Sequence, residues 1–122
     1  MGDRANFGFK DSKDNTVFLY GHWAGYEMLK NLADAVQIAR PRWTDESYAT
    51  RICISQLIGD SWNSETGWGI TVNQLADNEH KVPIINWSEQ TFTLMEEDLQ
   101  TVVFTTDLTS FVAKYCSQLS MV

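Results

Sequence analysis

The chain has 122 residues, 43% of them hydrophobic and 20% charged, which suits one globular domain with one core and excludes a disordered chain. Its formal net charge of −7 argues against general DNA or RNA binding, which needs a basic surface for phosphate contacts. Apolar runs are short, as in Ile52-Cys53-Ile54, and the start, Met1-Gly2-Asp3-Arg4, carries no hydrophobic stretch, so neither a membrane span nor a secretion signal is expected.

In chain order, Ala5, Phe7 and Phe9 alternate with Arg4, Asn6 and Gly8, the pattern of a half-buried strand, and residues 11–15 supply turn chemistry. A second strand is predicted from Thr16 to about Trp23, pairing with the first as a hairpin. Its alternation places Tyr20 and His22 on one face. Over residues 25–40, Leu29, Leu32, Ala33, Val36 and Ala39 recur at helical spacing. Pro41 ends that helix, and Thr44 is expected to cap a second one running to Ile58, with Gly59 as its stop.

Residues 60–65 read as a loop, followed by a third strand in which Trp68, Ile70 and Val72 alternate with Gly67, Gly69 and Thr71. Residues 73–80 form another loop. Strands are expected over about 81–87, 91–95 and 99–105. A final helix starts at the cap Asp107 and runs to about Leu119 on the stripe Leu108, Phe111, Val112, Tyr115 and Leu119. The order β-β-α-α-β-β-β-β-α predicts a two-layer α+β domain, mostly antiparallel, with helices on one face of the sheet.

The strings Gly2-Asp3-Arg4-Ala5-Asn6, Leu19-Tyr20-Gly21-His22-Trp23, Arg42-Trp43, Glu65-Thr66-Gly67-Trp68-Gly69-Ile70 and Asp77-Asn78-Glu79-His80 resemble a family of small uncharacterised proteins of bacteriophages and bacteria. The resemblance spans residues 2 to about 87. It implies a phage or bacterial protein of the host cytoplasm and carries no mechanism. Where many of those proteins have Trp-Gly-Gly after the histidine, this chain has Trp23-Ala24-Gly25.

Candidate chemistry concentrates in three places. Antiparallel pairing brings Asp3, Arg4 and Asn6 to the same sheet end as Tyr20, His22 and Trp23, where they can line one pocket; the plainer alternative is an Asp3–Arg4 salt bridge and a structural His22. Arg42 and Trp43, with Arg40 beside them and Arg51 on the second helix, pair a guanidinium fork with an indole, which suits phosphate and an aromatic base. Arg40 near a helix end and Trp43 as a hydrophobic staple are the structural alternatives. Asn78 and Glu79, in the Asp77-Asn78-Glu79-His80 loop, can serve ribose hydroxyls.

No spacing for a zinc site or EF-hand and no nucleophile elbow occurs. Cys53 and Cys116 sit in apolar helical patterns, as expected of a reduced cytosol. No metal and no cofactor are expected. All four arginines lie in residues 1–59, whereas residues 60–122 hold nine acidic groups against Lys81 and Lys114. Five tryptophans are many for this length, and those at element ends suit a ligand pocket or an interface.

The expected function is a non-catalytic protein that binds a small anionic nucleotide, stacking on Trp23, Trp43 or Trp68, with phosphate contacts from Arg4, Arg42 or Arg51 and ribose contacts from Asp3, Asn6 or Glu79. For a phage-like protein this means sequestering a nucleotide signal of host antiviral defence, such as a cyclic nucleotide. A homo-oligomer is expected, because so small a domain has little interior for a pocket. The alternatives are a small hydrolase or phosphodiesterase with His22 as acid or base, oriented by Asp3 or Glu79, and an acidic inhibitor of a host protein using Glu96-Glu97-Asp98.

Overall fold

Alternating apolar residues at the start of the chain build the centre of a sheet. In the computed structural model, which describes residues 2–117, β1 (Ala5–Lys10) sits between β2 (Thr16–Gly21), its antiparallel hairpin partner, and β4 (Val82–Asn86), which runs parallel to it. β3 (Trp68–Val72) pairs antiparallel with β2, and β5 (Thr91–Met95) and β6 (Val102–Asp107) extend the other side antiparallel, giving the order β3-β2-β1-β4-β5-β6. The domain is α+β with a mostly antiparallel six-stranded sheet and three helices. The parallel β1–β4 pair requires a crossover, which hairpin logic alone does not supply.

The helices are α1 (Met28–Ile38), α2 (Glu46–Ile58) and α3 (Leu108–Tyr115). Their buried residues, Leu32, Val36, Cys53, Ile54, Phe111 and Val112 among them, share one core with Phe7, Phe9, Leu19, Ile85 and Phe92 of the sheet. Phe92 stacks on Phe111 with centroids 4.0 Å apart and planes 7° from parallel, which ties β5 to α3. Phe18 and Val82 are also buried but stand outside this cluster, on strand positions that alternate with the core-facing ones.

Element ends shift for local reasons. The second strand stops at Gly21 rather than Trp23, because the chain turns there, with the Ala24 N–H donating to the Gly21 carbonyl at 3.4 Å; the turn packs so closely that a Cβ on Gly21 would lie 2.4 Å from the Ala24 Cβ and 2.8 Å from the Trp68 ring. The first helix ends at Ile38 and passes into a 3-10 turn over Arg40–Arg42 that contains Pro41. Asp45, not Thr44, holds the cap position of α2, and its side chain makes no capping bond to the helix backbone. The chain reverses at Gly59 with φ 61, as the stop signal predicts, and a 3-10 turn over Gly59–Ser61 follows. The last strand starts at Val102, because Glu96 and Leu99 form a turn in which Leu99 has φ 57. Asp107 caps α3 by accepting from the Ser110 N–H at 2.7 Å. The predicted end of that helix, Leu119, lies outside the described residues. Among the described residues no helix is long and apolar enough to cross a membrane.

Candidate functional site

The β3–β4 crossover, residues 73–81, organises one end of the sheet. β3 and β4 are both parallel to β1, so the connection must return along the sheet from the Lys10 end to the Arg4 end. Asn6 anchors it. Fully buried, Asn6 donates through Nδ2 to the Asp77 carbonyl at 2.9 Å and to Asn78 Oδ1 at 3.1 Å, and its Oδ1 accepts from the Ala76 N–H at 3.3 Å. A side-chain amide can serve carbonyl, amide and N–H partners together, which explains a fully buried polar residue in the strand.

Arg4 and Glu79 pair twice. The Arg4 N–H donates to Glu79 Oε1 at 2.7 Å, the Glu79 N–H donates to the Arg4 carbonyl at 2.9 Å, and the guanidinium reaches Glu79 and Asp77 at 3.4 Å each. The backbone N–H of Arg4, followed by its guanidinium, holds the Glu79 carboxyl below its ordinary range despite some desolvation, and Glu79 raises the Arg4 guanidinium in return. Arg4 is thereby committed to two carboxylates, so the expected phosphate contact is not supported at this position. The Asp3–Arg4 bridge is also absent, because Asp3 pairs with His80 instead, Oδ1 to Nε2 at 2.5 Å.

Tyr20 and His22 share a face, as the strand alternation predicts, and the Tyr20 hydroxyl meets His22 Nδ1 at 2.7 Å. His22 also extends the sheet pairing beyond Gly21: its N–H donates to the Gly67 carbonyl and its carbonyl accepts from the Asp3 N–H, both at 2.8 Å. Trp23 stands edge-on to the His22 ring, with centroids 4.6 Å apart. Asp3, Arg4, Asn6, Tyr20, His22, Trp23, Asn78 and Glu79 therefore meet at one sheet end, as two adjoining hydrogen-bonded groups. Neither Asp3 nor Glu79 is the residue bonded to His22 Nδ1; Tyr20 is, so the orienting roles expected for those carboxylates are not supported.

His80 is a residue of this site that the sequence expectation does not include. The other histidine of the chain, in a loop already marked as polar, was the available signal. Gly25 completes the packing: its N–H donates to the Asp3 carbonyl at 2.9 Å, and a Cβ there would lie 2.1 Å from His80 Nε2 and 2.3 Å from Asp3 Oδ1.

The Arg42, Trp43 and Arg51 group is separate, because the 3-10 turn and the start of α2 lie by the Lys10 end of β1, where Ser12 bonds Glu46 through N–H and hydroxyl at 2.9 and 3.1 Å. Trp43 is buried, its Nε1–H donates to the Val36 carbonyl at 2.9 Å, and Arg40 covers its ring at 4.4 Å; the small part of it that is exposed lines an open cavity of about 680 Å³ with Arg42 and Trp87. Arg42 lies over Tyr48 at 5.0 Å. Arg51 instead joins Trp62, a residue absent from the expected set, in a cavity of about 370 Å³ floored by Phe9, Val17, Ile54 and Ile70. Trp62 is half exposed there. Asp11 and Glu46 also line it, with Asp11 Oδ1 accepting from the turn N–H groups of Lys13 and Asn15 and Glu46 accepting from Ser12. Trp68 lines a different groove, with Trp23.

Among the described residues no three His, Cys, Asp or Glu side chains gather in a way that could hold a metal ion. Cys53 and Cys116 are free and buried, and burial pushes the Cys53 thiol up, away from the thiolate a nucleophile needs. Comparison with protein-family models, curated proteins and solved structures finds no match to the chain.

Proposed function

We propose that the protein binds a small anionic nucleotide and holds it without turnover, at the cavity shared by Arg51 and Trp62. The observation that carries this reading is that one concave site of about 370 Å³ combines an exposed guanidinium, an indole and an apolar floor. A base stacks on the indole, and the fork of Arg51 takes two phosphate oxygens. The carboxylates of Asp11 and Glu46 at the same cavity favour a ligand of low negative charge.

Binding rather than turnover is supported by the engagement of the cavity's own carboxylates: Asp11 accepts from the turn N–H groups of Lys13 and Asn15, and Glu46 accepts from Ser12. In a phage-type protein, as the sequence resemblance implies, holding a host's signalling nucleotide amounts to sequestration. A homo-oligomer belongs to this reading: Ile70 and Val72 on edge strand β3 are exposed, and Ile70 lines the cavity, so a second copy would cover the ligand as well as the strand.

The test is thermal unfolding and native mass spectrometry with AMP, cyclic AMP and cyclic dinucleotides. At least one should raise the melting temperature of the wild type and remain bound intact, and Arg51→Ala or Trp62→Ala should remove the shift. No shift across the set would end the proposal, and conversion of the bound nucleotide would favour the hydrolase reading.

A further inference from the structure

A second groove, of about 430 Å³, opens between the β2–α1 turn and the α1 and α2 helices, walled by Trp23, Tyr26 and Trp68. We infer that it binds an uncharged, hydroxylated ring of the kind a neutral saccharide presents. Trp23 and Tyr26 are 62% and 77% exposed, far more than aromatic side chains recruited to complete a core. The Trp23 indole is nevertheless oriented, edge-on to His22 at 4.6 Å and so close to Gly67 that a Cβ there would lie 3.3 Å from the ring. Its stacking surface is set before any ligand arrives.

Charge selects the ligand class. Among the described residues no Lys or Arg lines this groove, so nothing there compensates a phosphate or carboxylate. Asp34, the one acidic lining residue among those described, already accepts from the Ser117 N–H at 2.9 Å and from the Ser117 hydroxyl, with Lys30 at 3.8 Å, so an ammonium ligand finds that charge already engaged. What remains is aromatic surface plus the amides of Asn31 and Gln56 at the rim. A pyranose fits this pairing: its C–H face lies on the indole, and its hydroxyls exchange hydrogen bonds with the amides, each of which offers two donors and an acceptor. The inference stands apart from the nucleotide reading, because Arg51 and Trp62 line a different cavity.

The experiment is saturation-transfer NMR and tryptophan-fluorescence titration of the full chain with maltotriose and N,N′-diacetylchitobiose, with adenosine as an uncharged nucleoside in a separate arm. At least one saccharide should receive saturation, and Trp23→Ala and Tyr26→Ala should each weaken it about tenfold or more, the scale of one lost stacking contact. Arg51→Ala should leave it unchanged. Both aromatic side chains are mostly exposed, so the variants should retain the wild-type melting temperature within a few degrees, which confirms folding. Saturation of adenosine alone, of no probe, or of a saccharide equally in Trp23→Ala would overturn the assignment.

Discussion

His80 Nε2 lies 2.5 Å from Asp3 Oδ1, which fastens the crossover loop to the residue just ahead of the first strand, 77 positions earlier in the chain. Both side chains are partly exposed, at 35% and 42%, so solvent screens the pair and its direct contribution is about 1 kcal/mol or less. Its role is local order. His80→Ala should leave the melting temperature within a few degrees of wild type while speeding hydrogen exchange at the Gly25 amide, which donates to the Asp3 carbonyl. Unchanged exchange at Gly25 would show that the clasp orders nothing.

Gly25→Ala should do more damage than His80→Ala. The added methyl would overlap both His80 Nε2 and Asp3 Oδ1, at 2.1 and 2.3 Å, so the turn or the clasp must move. A loss of about 1–3 kcal/mol is expected by the measure of overpacked sites. Urea unfolding of the two variants side by side gives the ranking.

Asn6→Ala should cost about 1–3 kcal/mol, because it removes the partner of the Ala76 N–H and the donor to the Asp77 carbonyl at a buried position. Asn6→Asp should also destabilise, since a carboxylate can accept from Ala76 but repels the Asp77 carbonyl. Chemical denaturation at neutral pH measures both. If Asn6→Asp matched the wild type, the crossover would not depend on the donating half of the amide.

Acid should weaken the fold through carboxyls held below their ordinary range. Glu79 is so held by the Arg4 backbone N–H and then its guanidinium; at Asp34, burial acts upward, but hydrogen bonds from Cys116 and Ser117, with Lys30, outweigh it. A depressed folded value means that the stabilisation is complete above the unfolded value, about pH 4 for these side chains. It is lost as pH falls through the folded value. Urea midpoints between pH 6 and pH 2.5 should fall on the acid side, and Glu79→Gln should flatten part of that slope. An identical slope in the variant would remove Glu79 from the account.

Native protein should resist thiol reagents. Cys53 is fully buried with its thiol pushed up by desolvation, and Cys116 is buried in the same core. Ellman's reagent should label two thiols in denaturant and react far more slowly without it. Rapid labelling of the native protein would mean that α2, which carries Cys53, or the end of α3, which carries Cys116, opens locally.

Much of the fold could be read because alternation in β1, β2 and β3 and the helical stripes report burial directly. Tyr20 and His22 followed from a period of two, and their contact with each other needed no long-range information. The parallel β1–β4 pair did not, since nothing local in residues 82–86 says which strand they will join. Pairing within the site was hidden for the same reason: Arg4 finds Glu79 and Asp3 finds His80 only once the crossover is in place. Trp43 looked available beside two arginines, but its indole N–H is used by the Val36 carbonyl inside the core. Trp62, in a polar loop with no periodicity, carried no sign of its shared cavity with Arg51.

The position of β1 has a bearing on synthesis. Its hairpin partner β2 emerges at once, but its other neighbour, β4, starts only at Val82. Until then the central strand of the finished sheet is an edge, with unpaired backbone groups along one side and Phe7 and Phe9 lacking part of their cover. A nascent chain paused before Val82 is therefore a species prone to strand-to-strand association, and the arrival of β4 ends that exposure.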